Sequence, residues 1–102
     1  MSTAALFGAL GDAHRLRIVT HLCEDGPRST LQVAQVISLS RQATTKHLEL
    51  LSAAGVVGSA KQGRERIWTV DPAPLAEAGD YLAELSARWD RALSRLKAFV
   101  ED

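Results

Sequence analysis

The hydrophobic spacing of this chain changes twice, and that limits the folds open to it. Up to Ala54 the apolar residues recur every three or four positions. Two short β-prone runs then follow, Val56-Val57-Gly58-Ser59-Ala60-Lys61 and Glu65-Arg66-Ile67-Trp68-Thr69-Val70, on either side of Gln62-Gly63-Arg64. After Asp71-Pro72 the helical spacing returns and persists to the end. Periods of 3.6, then 2, then 3.6 predict short helices, one hairpin and a long last helix.

Turn residues divide the first half. Residues 2–10 predict a short helix with Leu6, Phe7 and Leu10 on one side. Asp12 is the expected N-cap of a helix over 13–24, whose apolar positions are Leu16, Ile18, Val19, Leu22 and Cys23. Asp25-Gly26-Pro27 ends it. Ser29 or Thr30 caps a third helix carrying Leu31, Val33, Ala34 and Ile37, and Ser38-Leu39-Ser40 is a break. Ser40 then caps a fourth helix over 41–54. Thr44, Leu48 and Leu51 fall on its inner side, which turns Arg41, Gln42, Thr45, Lys46, Glu49 and Ser52 outward. Gly55 closes it in a left-handed conformation.

Over 72–101, Leu75, Ala78, Leu82, Leu85, Trp89, Ala92, Leu96 and Phe99 step alternately by three and four, close to a coiled-coil seam. A chain of 102 residues predicts a single domain, small enough that a second copy would help it bury apolar surface. No apolar run approaches the roughly 18 residues of a membrane span. The first seven residues carry no Lys or Arg, so no secretory signal is expected and the cytoplasm is the expected compartment. Cys23 is the one cysteine; it forms no intramolecular disulfide and is expected in the core of the second helix.

A net charge of zero argues against a nucleic-acid partner, but its distribution argues the other way. Within 41–70, Arg41, Lys46, Lys61, Arg64 and Arg66 face only Glu49 and Glu65, whereas 71–102 is acidic overall. The order helix, helix, three-residue break, helix, hairpin is that of a winged helix-turn-helix, mainly α with a small β-hairpin. A 13-residue helix suits the major groove of double-stranded DNA, read by its first residues, here Ser40, Arg41, Gln42 and Thr45. Arg can donate two bonds to guanine and Gln can pair with adenine. Lys46 and His47 are donors further along, His47 either reaching phosphate or bracing the helix against the wing. Lys61, Gln62, Arg64 and Arg66 make a basic hairpin tip for backbone or minor groove. Trp68 is expected to anchor the wing to the core.

The stretches Ala9-Leu10-Gly11-Asp12-Ala13-His14-Arg15-Leu16-Arg17-Ile18, Leu39-Ser40-Arg41-Gln42-Ala43-Thr44-Thr45-Lys46-His47-Leu48 with Ala54-Gly55-Val56-Val57, and Gly63-Arg64 before Trp68 resemble the ArsR/SmtB-type bacterial repressors across nearly the whole chain. The resemblance implies a homodimeric transcriptional regulator, usually an autorepressor, on an inverted-repeat operator, with five helices and a wing. It also implies dimerisation through the first and last helices, here Leu6, Phe7, Leu10, Leu82, Leu85, Trp89, Leu96 and Phe99. Arg41 and Gln42 stand where the family commonly has Gln and Ser, so no operator sequence carries over.

Metal-sensing relatives use a Cys-x-Cys pair on the third helix, where Arg28–Val33 here has neither Cys nor His. Others use His and carboxylates on the last helix, which here has carboxylates but no His; borderline metals need nitrogen or sulfur donors. No metal and no cofactor is therefore expected, which points to a non-metal-sensing branch, and a small-molecule inducer is left open. Two other readings remain at this point: a winged-helix protein-interaction module, and a thiol- or metal-responsive repressor with an atypical intersubunit site. An enzyme is not expected, because there is no nucleophile elbow and no phosphate loop.

Overall fold

Side-chain caps set where the helices begin in the computed structural model, which describes residues 3–101. Asp12 Oδ1 accepts the backbone N–H groups of His14 (2.9 Å) and Arg15 (3.1 Å) and starts α2 (Ala13–Asp25). Ser29 and Gln32 form a reciprocal capping box, each side chain accepting the other's backbone N–H, at the start of α3 (Thr30–Ile37). Ser40 Oγ accepts the N–H of Ala43 and opens α4 (Arg41–Ala53). The serine caps contribute about 1 kcal/mol each. Before them lies α1 (Thr3–Leu10); Ser2, expected to begin that helix, falls outside the described residues.

The Asp12 carboxyl is held below its ordinary value of 3.8, first by the Arg15 backbone N–H bonded to it. Its ionised form is thus favoured more in the folded chain than in the unfolded one. Its contribution is complete above the unfolded value and is lost as pH falls through the lowered folded one. Amide exchange at His14 and Arg15 should accelerate only below the ordinary carboxylate range. Protection already lost near pH 5 would show that the cap does not depend on this charge.

Positive φ angles mark the ends of α3 and α4. Ser38 (φ 59°) ends α3, and Gly55 (φ 78°) follows α4 as expected. The hairpin pairs β2 (Val57–Gln62) with β3 (Glu65–Val70) in antiparallel register, Gln62 opposite Glu65. The turn is therefore two residues, one shorter than expected: Gly63-Arg64, with φ +66° at Gly63 as a type II′ turn requires. A third strand was not expected. β1 (Arg28–Ser29) pairs with the other edge of β3, Arg28 opposite Trp68 and Ser29 opposite Ile67, giving the order β1-β3-β2. Two residues are too few for a period-2 pattern to show.

The core lies between α1–α4 and the sheet, with Ile18, Val33, Leu48, Leu51, Val56 and Trp68 fully buried. Several expectations need correction. Leu16 and Leu31 are half exposed and Cys23 is exposed. At about 100° per residue, Ile18, Val19 and Leu22 share one arc of α2, and Leu16 and Cys23 lie roughly 90–110° from its centre. On α3 the inward place expected of Leu31 is taken by the buried Thr30. Leu6, expected at a dimer interface, is 3% exposed inside its own protomer, where it faces inward with Ala9. Phe7 and Leu10 are partly buried against the same core, and the Phe7 ring lies 6.2 Å from that of Tyr81.

That contact joins α1 to α5 (Pro72–Glu101), a 30-residue rod of about 45 Å. Its buried residues are Pro74 and Ala78. Beyond Tyr81 it projects past the rest of the fold, which gives extents of 68 × 24 × 21 Å. Among the described residues no helix is long and apolar enough to cross a membrane.

Candidate nucleic-acid interface

Three buried side chains set the rotation of α4. Thr44, Leu48 and Leu51 are 0% exposed, and the Thr44 hydroxyl donates to the Ser40 carbonyl at 2.8 Å. Arg41, Gln42, Lys46 and Glu49 are exposed, while Thr45 is half-buried, its hydroxyl donating to the Arg41 carbonyl at 2.9 Å. Ser40 is exposed, but its side chain is engaged as the cap.

The wing stands beside this helix. Lys61, Gln62, Arg64 and Arg66 are all exposed. Arg66 is held firmly, its Nε–H donating to Ser59 Oγ at 2.7 Å and its guanidinium carbon 4.6 Å from the centre of the Trp68 ring. Trp68 is fully buried, as its role as wing anchor requires. Its indole N–H donates to Thr30 Oγ1 at 2.9 Å, so β3 is bonded to the first residue of α3. Together with the β1 pairing, this fixes the wing relative to the helix-turn-helix. Arg41 lines one cleft with Arg64, Glu65 and Arg66. The five cations expected to face DNA therefore all lie on exposed parts of α4 and the wing.

His47 is placed differently from the other candidates. It is half-buried and faces α2, its Nδ1 3.4 Å from Arg15 Nη1 and its ring 5.5 Å from that of His14. Arg15 in turn donates from Nε to the Ala9 carbonyl at 2.7 Å and lies 3.9 Å from Asp12 Oδ2. His47 thus braces α4 against α2, not against the wing. Arg15 thus links α2 to α1 through the Ala9 carbonyl and to α4 through His47. His21 is half-buried, with Nδ1 2.7 Å from Asp25 Oδ2.

The second feature is the outer half of α5. Leu82, Leu85, Trp89, Leu96 and Phe99 are all exposed, Trp89 at 64% and Phe99 at 81%. Leu82, Leu85, Trp89 and Ala92 line a shallow apolar groove of about 550 Å³, edged by Arg88, whose Nη2–H donates to Glu84 Oε1 at 2.6 Å. Among the described residues no three His, Cys, Asp or Glu side chains are grouped to hold a metal ion.

Comparison with known proteins places this geometry. A helix-turn-helix domain model matches residues 10–58. The HTH-type transcriptional regulator Rv2034 of Mycobacterium tuberculosis is 34% identical over 93 residues, covering 91% of this chain and 83% of that protein. The solved ArsR-like transcriptional regulator from Rhodococcus sp. RHA1 is 37% identical with a TM-score of 0.79, covering 95% of this chain and 91% of that one. The winged helix-turn-helix DNA-binding domain Mb0332 from Mycobacterium bovis, described as homodimeric, shares the fold at 20% identity and a TM-score of 0.65, covering 88% of this chain and 80% of that one. With its exposed helix after a tight turn, its basic wing and these relatives, the chain belongs to the ArsR family of DNA-binding winged helix-turn-helix transcriptional regulators, which are not enzymes.

Proposed function

We propose that the protein is a homodimeric repressor that binds an inverted-repeat operator through α4 and the wing. The observation that carries this reading is the rotation of α4: Thr44, Leu48 and Leu51 are sealed in the core while Gln42 and Lys46 face outward beside the basic wing. Gln42, Thr45 and Lys46 meet base edges, and Lys61, Gln62, Arg64 and Arg66 meet the backbone. The apolar stripe of α5 supports a two-fold pair, as does the homodimer described for the same fold from Mycobacterium bovis. Residues 28–33 offer no thiolate or imidazole, which supports a branch that does not sense metals.

Selection from a randomised duplex pool should return a palindrome whose half-sites lie about 34–36 Å apart, with an affinity that falls as salt rises. Transcription in vitro from a promoter overlapping that palindrome should fall when the protein is added; increased transcription would make it an activator. Gln42→Ala should cost roughly 1–3 kcal/mol on the selected duplex and relax preference at one base pair of each half-site. An unchanged base profile would remove Gln42 from the reading set. Failure to enrich any sequence would favour a protein-interaction role instead.

A further inference from the structure

We propose that Arg41 and Arg64, backed by Arg66, form a seat for a single DNA phosphodiester in the cleft between α3, α4 and the wing, so that Arg41 grips the backbone and does not read a base. The inference rests on the DNA-binding reading above and gives Arg41 a role different from that of its neighbour Gln42. The cleft holds about 190 Å³ and is walled by the N-cap Ser29 and the first residues of α3 (Thr30, Leu31), by Arg41 at the start of α4, and by Arg64, Glu65 and Arg66 of the wing. Three guanidinium groups thus surround one space, with Glu65 as the one carboxylate among them.

The direction of Arg41 follows from helix geometry. At about 100° per residue, Arg41 leaves α4 only roughly 50° from the mean direction of Thr44, Leu48 and Leu51, while Gln42 and Lys46 leave from nearly the opposite side. Arg41 therefore leans along the flank of α4 toward the wing. Arg66 is already committed to Ser59 and the Trp68 ring, and so acts as a fixed charge. Among the described residues no hydrogen bond or ion pair engages the side chains of Arg41 or Arg64, so both keep their donors for a ligand. Two Arg forks converging on one tetrahedral anion is the pairing the guanidinium geometry favours. The first turns of α3 and α4 add positive dipole ends on the same side.

The test uses the full chain and the duplex that the wild type selects. Single methylphosphonates, which remove one backbone charge, are placed at each position of one half-site. One position should weaken the wild type about tenfold, weaken Arg41→Ala and Arg64→Ala less, and have no effect on the variant lacking both arginines, because both side chains serve that phosphate. Arg41→Ala should also lower the salt exponent by about one per protomer and leave the base profile unchanged. Arg41→Lys should keep the exponent, and Gln42→Ala should change the profile while keeping it. Different sensitive positions for the two arginine variants, or a base preference lost with Arg41 at an unchanged salt exponent, would overturn the seat while leaving the DNA-binding reading intact. A wild type that binds no duplex would overturn that reading and the seat together.

Discussion

Replacing Trp89 with glutamate is expected to yield a folded monomer whose operator affinity is at least a hundredfold below that of the wild type. Trp89 is 64% exposed within its protomer and lies in the middle of the apolar stripe of α5. Its loss removes little from the core, since the residues of α5 buried there are Pro74 and Ala78. A charge at that point opposes pairing of the stripe with a second copy, because an unpaired carboxylate would have to leave water. Two linked half-site contacts exceed one by about 10²–10⁴, and the monomer forfeits that factor. The outer part of α5 then has neither core nor partner, and a lone helix of that length is marginal in water. Sedimentation should report a single chain, and far-UV circular dichroism a partial loss of helix, with amide protection failing beyond Tyr81. Emission from the buried Trp68 should be unaffected. A variant that sediments as a dimer with undiminished affinity would remove α5 from the interface.

The second large effect concerns stability. Trp68→Ala should destabilise the fold by about 3–5 kcal/mol, the range for deleting a buried aromatic side chain. That is a large part of the 5–15 kcal/mol typical of a whole domain, and it corresponds to a fall in Tm on the order of 15–30 °C. The indole fills the space between β3 and α3, carries the Arg66 guanidinium on its face, and gives its N–H to Thr30. Thr30→Val isolates the last of these contributions. It keeps the packing but leaves a buried donor unpaired, and should cost about 1–3 kcal/mol. Trp68→Ala melting within a few degrees of the wild type would show that the wing is held by its backbone pairing alone.

The features legible in the sequence are those decided locally. Asp12, Ser29 and Ser40 cap helices because each sits just before an apolar-periodic segment, and Gly55 ends α4 because the left-handed region favours glycine. Thr44, Leu48 and Leu51 could be placed inside from their spacing. The illegible features depend on partners far away in the chain. The Trp68–Thr30 bond joins residues 38 apart, and the Arg15–His47 contact residues 32 apart. His47 reads as a donor along the recognition helix until α2 is seen to pack against it. Hydrophobicity alone also misplaced Leu16, Leu31 and Cys23, since an apolar side chain outside the buried arc of its helix stays wet. Leu6 shows the converse: its stripe suits a partner, yet the protomer's own core uses it first. The arginine cleft needed the wing folded back over the start of α4, which no spacing along α4 could reveal.

If two copies pair along α5 as proposed, its length makes the two rods a ruler. A slip of one helical turn between them displaces one protomer against the other by about 5.4 Å, more than the roughly 3.4 Å between successive base pairs. Reading heads in step with the duplex before such a slip would be out of phase after it. Whatever shifts the rods, far from the DNA face, would therefore retune which spacing the molecule measures without touching a single reading side chain.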